Sequence, residues 1–263
     1  MELIEKQPEF VSRFRRWNPN ADLAGYPFVE NTHSPFTPVK RALPMLNLAL
    51  ISSAGAYIDG TEPFDLASRD GDHDIREIPI EVEAGDLRYA AKGFDPTAVQ
   101  EDRNSQIPVD RLLEYEANSV IGHLNECWWS ISPYTPNAAM VAGDMVPHLV
   151  DRLKRYGVQA ALLIPASRLC HQTLGILARG LEYYGIPSIV ISVDRTVTDR
   201  VRPPRTAYYS GELGSVSGLP NWKQHQLRIL DETLRWIETF DQPGSRRLVV
   251  ELETQVEAAR GER

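Results

Sequence analysis

The sharpest local chemical feature of the chain is Pro165-Ala-Ser-Arg-Leu-Cys-His-Gln172, where an apolar strand turns into a helix. A thiol in the first turn of a helix lies among unpaired N–H groups and at the positive end of the macrodipole. Both favour the thiolate and lower its pKa. Ser167 precedes Cys170 by three residues, the spacing at which a hydroxyl caps a helix or hydrogen-bonds a sulfur. These residues predict Cys170 as nucleophile or redox thiol and Ser167 as the group that orients it. His171 is predicted as proton donor or electrostatic helper, with Arg168 adding positive charge. A small buried cysteine under an ordinary capping serine accounts for the same spacing.

Other groups offer binding chemistry. Ser52, Ser53 and Gly55 follow an apolar run, where their backbone N–H groups would face an anion. Arg202 and Arg205, separated by two prolines, read as a stiff basic loop suited to a carboxylate. Glu101 and Asp102 are expected to bind substrate or brace their loop. Asp70, Asp72, His73 and Asp74 form an oxygen-rich turn that a solvated loop explains equally well, so no metal is expected. A metal-dependent lyase or hydrolase built on that turn is a rival reading. Cys127, beside Trp128 and Trp129, is either a resolving thiol for Cys170 or a packed core residue. His123, four residues earlier and without further ligands, makes a poor zinc site. No cofactor is expected.

The elements that must position these groups are legible in outline. Leu46–Ile51 is a short apolar run, and Ala160–Ile164 is a second, stopped by Pro165. Both read as strands buried on two faces. The helix after Pro165 carries Leu174, Leu177, Ala178 and Leu181 at helical spacing and ends at Gly185, and Ile189–Val193 is the next strand. Strand, helix and strand in so few residues predict a right-handed crossover between parallel strands. Before it, a helix capped by Asp144 holds Pro147 in its first turn and ends at Gly157. Phe64–Glu77 and Asp95–Asp102 read as polar loops, Ile78–Val82 and Trp128–Ile131 as strands, and Val109–Glu116 as a helix started by Pro108. A final amphipathic helix is expected over roughly Asn221–Phe240, with a short strand at Arg247–Glu251.

The expected architecture is therefore α/β: a mostly parallel sheet flanked by helices in Rossmann-like layers. One domain over 1–263 is expected, with an irregular N-terminal arm over 1–40 and a short helix near Glu9–Trp17. The 263 residues are 42% hydrophobic and 24% charged, with a net charge of −8. That balance excludes a nucleic-acid partner, which needs a basic surface. No apolar run reaches the roughly 18–20 residues of a membrane span. The N-terminus, Met1-Glu-Leu-Ile-Glu-Lys6, lacks the pattern of a signal peptide. A cytoplasmic protein with free thiols is expected.

An ordered series of short segments resembles the selenoprotein B family of glycine, sarcosine, betaine and D-proline reductases. It comprises Ser34-Pro-Phe-Thr-Pro38, Leu48-Ala-Leu-Ile-Ser-Ser-Ala-Gly55, Glu62-Pro-Phe-Asp65, Gly71-Asp72 and Arg76-Glu-Ile-Pro79. It continues through Glu101-Asp102-Arg-Asn104, Pro108-Val-Asp-Arg111, Ile121-Gly122, Cys170-His-Gln172, Gly185-Ile-Pro187, Arg202-Pro-Pro-Arg205 and Leu213-Gly214. The resemblance implies reductive cleavage: a selenolate at the strand-to-helix turn attacks an activated carbon and displaces an amine, and a thiol then resolves the adduct. It places the selenocysteine position on Ser167 and the following cysteine on Cys170. A serine hydroxyl cannot replace a selenolate as a soft nucleophile without a strong base beside it. The expectation is a thiol-dependent reductase with a thiol/disulfide couple, acting on a small, carboxylate-bearing substrate. A partner reductase subunit or thiol donor and self-association into a homo-oligomer are also expected. The rival is a non-catalytic subunit or small-molecule-binding module that has lost the selenium site.

Overall fold

The structure is a computed structural model that describes residues 2–20, 23–250, 256, 259 and 260. Its first half contains α1 (Gln7–Arg16), β1 (Asn47–Ser52), β2 (Ala56–Ile58), β3 (Ile75–Pro79), β4 (Leu87–Tyr89), α2 (Thr97–Glu101), α3 (Val109–Ala117), β5 (His123–Leu124) and β6 (Cys127–Ile131). The second contains α4 (Ala138–Met140), α5 (Val146–Arg155), β7 (Ala160–Ile164), α6 (Arg168–Tyr183), β8 (Ser188–Ser192), α7 (Arg195–Val201), β9 (Arg205–Tyr208), α8 (Lys223–Thr239) and β10 (Gly244–Arg247).

Eight strands make one sheet in the order β10-β9-β8-β7-β1-β6-β3, with β5 also paired to β1. Neighbours are parallel except β3, which runs antiparallel to β6. The central strands carry apolar residues on both faces. Leu48, Leu50, Leu162 and Ile164 join Leu112 of α3 and Ile229, Leu230, Leu234 and Ile237 of α8. On the other face Ala49, Ile51, Ala161 and Leu163 meet Leu149 and Leu153 of α5 and Leu174, Leu177 and Leu181 of α6. Helices cover both faces, so these strands read as continuous apolar runs rather than alternating ones. The expected α/β layers and the β7-α6-β8 crossover are present. β1 connects onward toward β6 while β7 connects toward β8. The crevice between the carboxyl ends of β1 and β7 is therefore the topological switch point, where open α/β sheets bind ligands.

Several local expectations are corrected. The helix leading to β7 begins at Ala138, where the Asn137 side chain accepts from the Met140 N–H at 3.4 Å; Asp144 lies inside it. Pro147 is accommodated because Val141–Met145 winds as a π-turn, loosening the ladder where proline lacks its N–H. The strand expected at Ile78–Val82 is Ile75–Pro79, an edge strand ending at the proline. Asp95–Asp102 contains the short helix α2 rather than only loop. Among the described residues the last strand is Gly244–Arg247, and residue Glu251 of the expected one lies outside them.

The N-terminal arm is closely packed. Phe10, Phe14, Trp17, Tyr26 and Phe28 form a chain of ring contacts, stacked at Phe10–Phe14 and edge-on at Trp17–Tyr26 and Tyr26–Phe28, with centroids 4.7–5.8 Å apart, against the α5–α6 face of the sheet. Polar side chains of α6 fasten it. Gln172 accepts from the Val29 N–H at 2.9 Å and donates to the Tyr26 hydroxyl at 2.6 Å. Arg179 donates to the carbonyls of Glu2, Leu3, His33 and Arg202. A buried helix can carry these groups only because each has partners.

Candidate functional site

The turn after β7 brings Ser167 and Cys170 together as the spacing predicted. The Ser167 hydroxyl caps α6, accepting from the Cys170 N–H at 3.2 Å and donating to its sulfur at 3.0 Å. The sulfur also faces two carbonyl oxygens, Pro133 at 3.5 Å and Ser53 at 3.6 Å, either of which can accept its S–H. Ser53 sits at the end of β1, and its hydroxyl accepts from the Ala166 N–H at 3.1 Å. The thiol therefore lies in the crevice between β1 and β7, framed by three loops.

Burial reverses one expectation. Cys170 is 1% exposed and Ser167 is fully buried. Desolvation pushes the Cys170 thiol above its ordinary value and outweighs the hydrogen bonds from Ser167 and Ser53. The helix start positions the thiol, but its buried apolar surroundings, which include Ile164, Ala166 and Ala54, disfavour the thiolate.

Ser167 is covered by the segment after β4. Gly93, at φ +80°, lies so close that an added Cβ would stand 3.4 Å from the Ser167 Cβ. Gly55, at φ +65°, lets this segment approach: its carbonyl accepts from the Ala90 N–H at 2.9 Å, and a Cβ there would stand 2.4 Å from the Ala90 oxygen. Gln106 braces the other side, donating to the Ile164 carbonyl at 3.2 Å and accepting from the Val216 N–H at 3.0 Å. Neither the Gly93 segment nor Gln106 was singled out from sequence. The Gly93-Phe-Asp-Pro96 turn was their only local signal, because their roles depend on contacts with distant residues.

His171 is turned away from the sulfur. Its Nδ1 donates to the Ser167 carbonyl at 2.7 Å, and its Nε2 accepts from the N–H groups of Val193 and Asp194 at 3.2 and 3.3 Å. Both nitrogens are used, which fixes the neutral tautomer and ties α6 to the loop after β8. The proton-donor expectation is therefore not met by this geometry. Burial holds the imidazole down to about 4, against the Ser167 carbonyl and Asp194. The unfolded chain then binds the extra proton as pH falls below its ordinary 6.5. His171 thus contributes stability that is complete above that pH and lost as pH drops toward 4. The full loss is about 3 kcal/mol at roughly 1.4 kcal/mol per pH unit. Glu182, which burial pushes up to about 7, acts in the opposite sense across the same window. Urea unfolding of wild type and His171→Gln at pH 7.5 and 5 isolates the effect: the wild type is expected to lose more stability on acidification than the variant.

The remaining candidates are dispersed. Arg168 pairs with Asp194 at 3.6 Å. The Ser53 and Gly55 N–H groups donate to the Ile164 and Ile131 carbonyls, and the Ser52 hydroxyl donates to Gln106. They do not form an open anion nest. Asp102 braces its loop: against the cost of burial, Gln226, Asn221 and Asn104 hold its carboxyl below the usual range. Glu101 is exposed on α2. Arg205 opens β9 and is fully buried in an ion pair with Glu182, at the amino end of the parallel strands, opposite the end that carries Cys170. Arg202 ends α7 at that same end, donates to the Thr32 carbonyl, and lines a hollow of about 340 Å³ with Ser34, Asp199 and Ser245. The Arg202-Pro-Pro-Arg205 loop is thus the α7–β9 turn, remote from the thiol.

Cys127 starts β6 at the amino edge of the sheet, and β1 separates its strand from β7. The two cysteines belong to core clusters on opposite faces, and both are free. A disulfide needs Cα atoms within about 7 Å, so Cys127 is not placed to resolve Cys170. The Asp70–Asp74 turn is closed on itself and on its neighbours. Asp70 accepts from Asn137 at 2.7 Å, and Asp72 accepts from the N–H groups of Asp65 and Asp74. Among the described residues no three His, Cys, Asp or Glu side chains converge to hold a metal ion, and no helix is long and apolar enough to cross a membrane.

Fold and site together define an α/β protein with a buried thiol at the carboxyl end of a central parallel strand. A family model described as glycine/sarcosine/betaine reductase selenoprotein B matches residues 26–166. The chain belongs to that family. The matched region ends one residue before Ser167. The D-proline reductase subunit gamma of Acetoanaerobium sticklandii is 26% identical over 209 residues, covering 80% of this chain and 85% of that protein. The glycine reductase complex component B subunit gamma of Symbiobacterium thermophilum is 26% identical over 188 residues, 68% of this chain and 43% of that one. The betaine reductase complex component B subunit beta of Peptoclostridium acidaminophilum is 26% identical over 204 residues, 73% of this chain and 46% of its own length. The chain thus spans most of the D-proline reductase subunit and less than half of the other two. These relatives are components of multi-subunit reductases. No solved structure matches the chain.

Proposed function

We propose that this chain is the thiol-bearing subunit of a reductase that cleaves a carbon–nitrogen bond in a small, carboxylate-bearing substrate. The observation that carries the reading is the 3.0 Å contact between the Ser167 hydroxyl and the Cys170 sulfur at the switch point of the sheet. A hydroxyl donating to sulfur stabilises the thiolate more than the thiol. In the proposed reaction the Cys170 thiolate attacks the carbon bearing an activated amine. A C–S bond forms as the C–N bond breaks, and nitrogen leaves with the electron pair and takes a proton. A second thiol then attacks the sulfur: an S–S bond forms, and carbon takes the C–S electron pair and a proton. Two thiols are oxidised to a disulfide while C–N becomes C–H and N–H. Cys127 is remote, so the second thiol comes from another chain or a small dithiol. Activation of the amine falls to a partner subunit, in keeping with the names of the relatives. Proline, glycine and betaine are the first substrates to assay, and self-association in the cytoplasm belongs to the same proposal.

Burial of Cys170 supports a second reading, a binding subunit in which the thiol is inert. Alkylation of Cys170, mapped by peptide mass spectrometry across pH 7–10, separates the two. A reactive thiol labels in the native protein, with a rate that rises with pH through and beyond its ordinary pKa. Ser167→Ala is expected to shift that profile to higher pH and, by removing the cap of α6, to cost about 1 kcal/mol of stability. Labelling only at the rate of global unfolding, or a profile that Ser167→Ala leaves in place, counts against the reductase.

A further inference from the structure

Lys92 stands beside the cover of the thiol. Its neighbour Gly93 is exposed and lies against Ser167, so this one segment separates the Ser167–Cys170 pair from solvent on that side. The Lys92 ammonium sits over the Tyr134 ring, 3.3 Å from its centroid, and donates to the Leu66 carbonyl at 2.8 Å. Tyr134 follows Pro133, whose carbonyl faces the Cys170 sulfur. Lys92 thus ties the segment that covers Ser167 to the Pro133–Tyr134 loop that frames the thiol.

Its charge is uncompensated by contact. Among the described residues Lys92 forms no ion pair. An aromatic face and a carbonyl hold it, with Asp65 acting only at a distance. The other cations near the site or expected to serve it are paired or remote: Arg168 pairs with Asp194, Arg205 with Glu182, and Arg202, which donates to the Thr32 carbonyl, lies at the far end of the sheet. Both contacts of Lys92 are to neutral groups, and a carboxylate can replace them at a gain because it adds the attraction of opposite charges to the hydrogen bond. Exchanging them would also release the Lys92–Gly93 segment from the Tyr134 loop.

We infer that the segment around Lys92 and Gly93 is the entrance to the thiol, and that Lys92 is the positioning residue that receives the substrate carboxylate there. This rests on Cys170 being the reacting thiol. The test compares iodoacetate, which carries a carboxylate, with iodoacetamide, which does not, as alkylating agents of Cys170 in the full chain. Lys92→Gln is expected to lower the ratio of the iodoacetate rate to the iodoacetamide rate about fivefold, the effect of one nearby charge. Lys92→Arg is expected to retain the wild-type ratio. A ratio unchanged in Lys92→Gln, or lowered equally in Lys92→Arg, overturns the role of Lys92 while leaving the reactive thiol intact. Labelling by neither reagent overturns the reactive thiol and this inference with it.

Discussion

Replacing Arg205 by alanine is expected to lower the unfolding free energy by about 3–5 kcal/mol, the scale set by breaking a buried ion pair from one side. Arg205 and Glu182 are both fully buried and in direct contact. Arg205 also donates to the Thr37 carbonyl and lies 4.1 Å from the centroid of the Phe36 ring. Glu182 accepts from the N–H groups of Thr37 and Ser188. The pair therefore joins four elements: the end of α6, the start of β8, the start of β9 and the end of the N-terminal arm. Removing the guanidinium strands a carboxylate away from water, whereas removing both charges with shape retained does not. Arg205→Met combined with Glu182→Gln is accordingly expected to recover only part of the loss: it removes the stranded charge, but Thr37 and Ser188 donate to different oxygens of Glu182 and glutamine keeps an acceptor for one of them. Urea unfolding checks both variants; a single-variant loss below about 1 kcal/mol would mean that water reaches the pair.

The largest functional effect is expected at Cys170. Cys170→Ala should reduce thiol-dependent substrate cleavage, measured with dithiothreitol and the partner subunits, by about 10⁴-fold or more, the scale of losing a covalent nucleophile. Cys170→Ser is expected to fare no better, because a hydroxyl is far less acidic than a thiol whose own ionisation burial already disfavours. Cys127→Ala is the comparison. Cys127 is packed at the far edge of the sheet and plays no part in the proposed reaction, so the amount of active enzyme and its stability, rather than turnover per folded molecule, are what change. Equal loss of turnover in both variants would point to packing and remove the case for a reacting Cys170.

Sequence alone determined the strand at Ala160–Ile164, the helix after it and the capping distance from Ser167 to Cys170. These follow from short-range rules: apolar runs, helical spacing, a proline stop and a hydroxyl three residues upstream. The ordered segments likewise carried the family, which is a property of residue order and not of contacts. Residue order could not determine the state of the thiol. The first turn of a helix lowers a cysteine pKa when solvent reaches it, yet loops from three distant parts of the chain close over Cys170, and desolvation prevails.

The same gap explains the dispersed candidates. Arg202 and Arg205 look like a free basic loop because the carboxylate that pairs with Arg205, Glu182, lies 23 residues away. His171 looks like a proton donor until two N–H groups from the loop after β8 occupy its Nε2. Cys127 and Cys170 could be a redox pair on paper, and the sheet order puts a strand between theirs. Each of these is a long-range contact, and hydrogen-bond partners and burial, unlike spacing, exist only once the chain has folded. Sequence therefore located the turn that carries the thiol, while tertiary structure decided that the thiol is covered, which neighbours hold it, and beside which cation its cover lies.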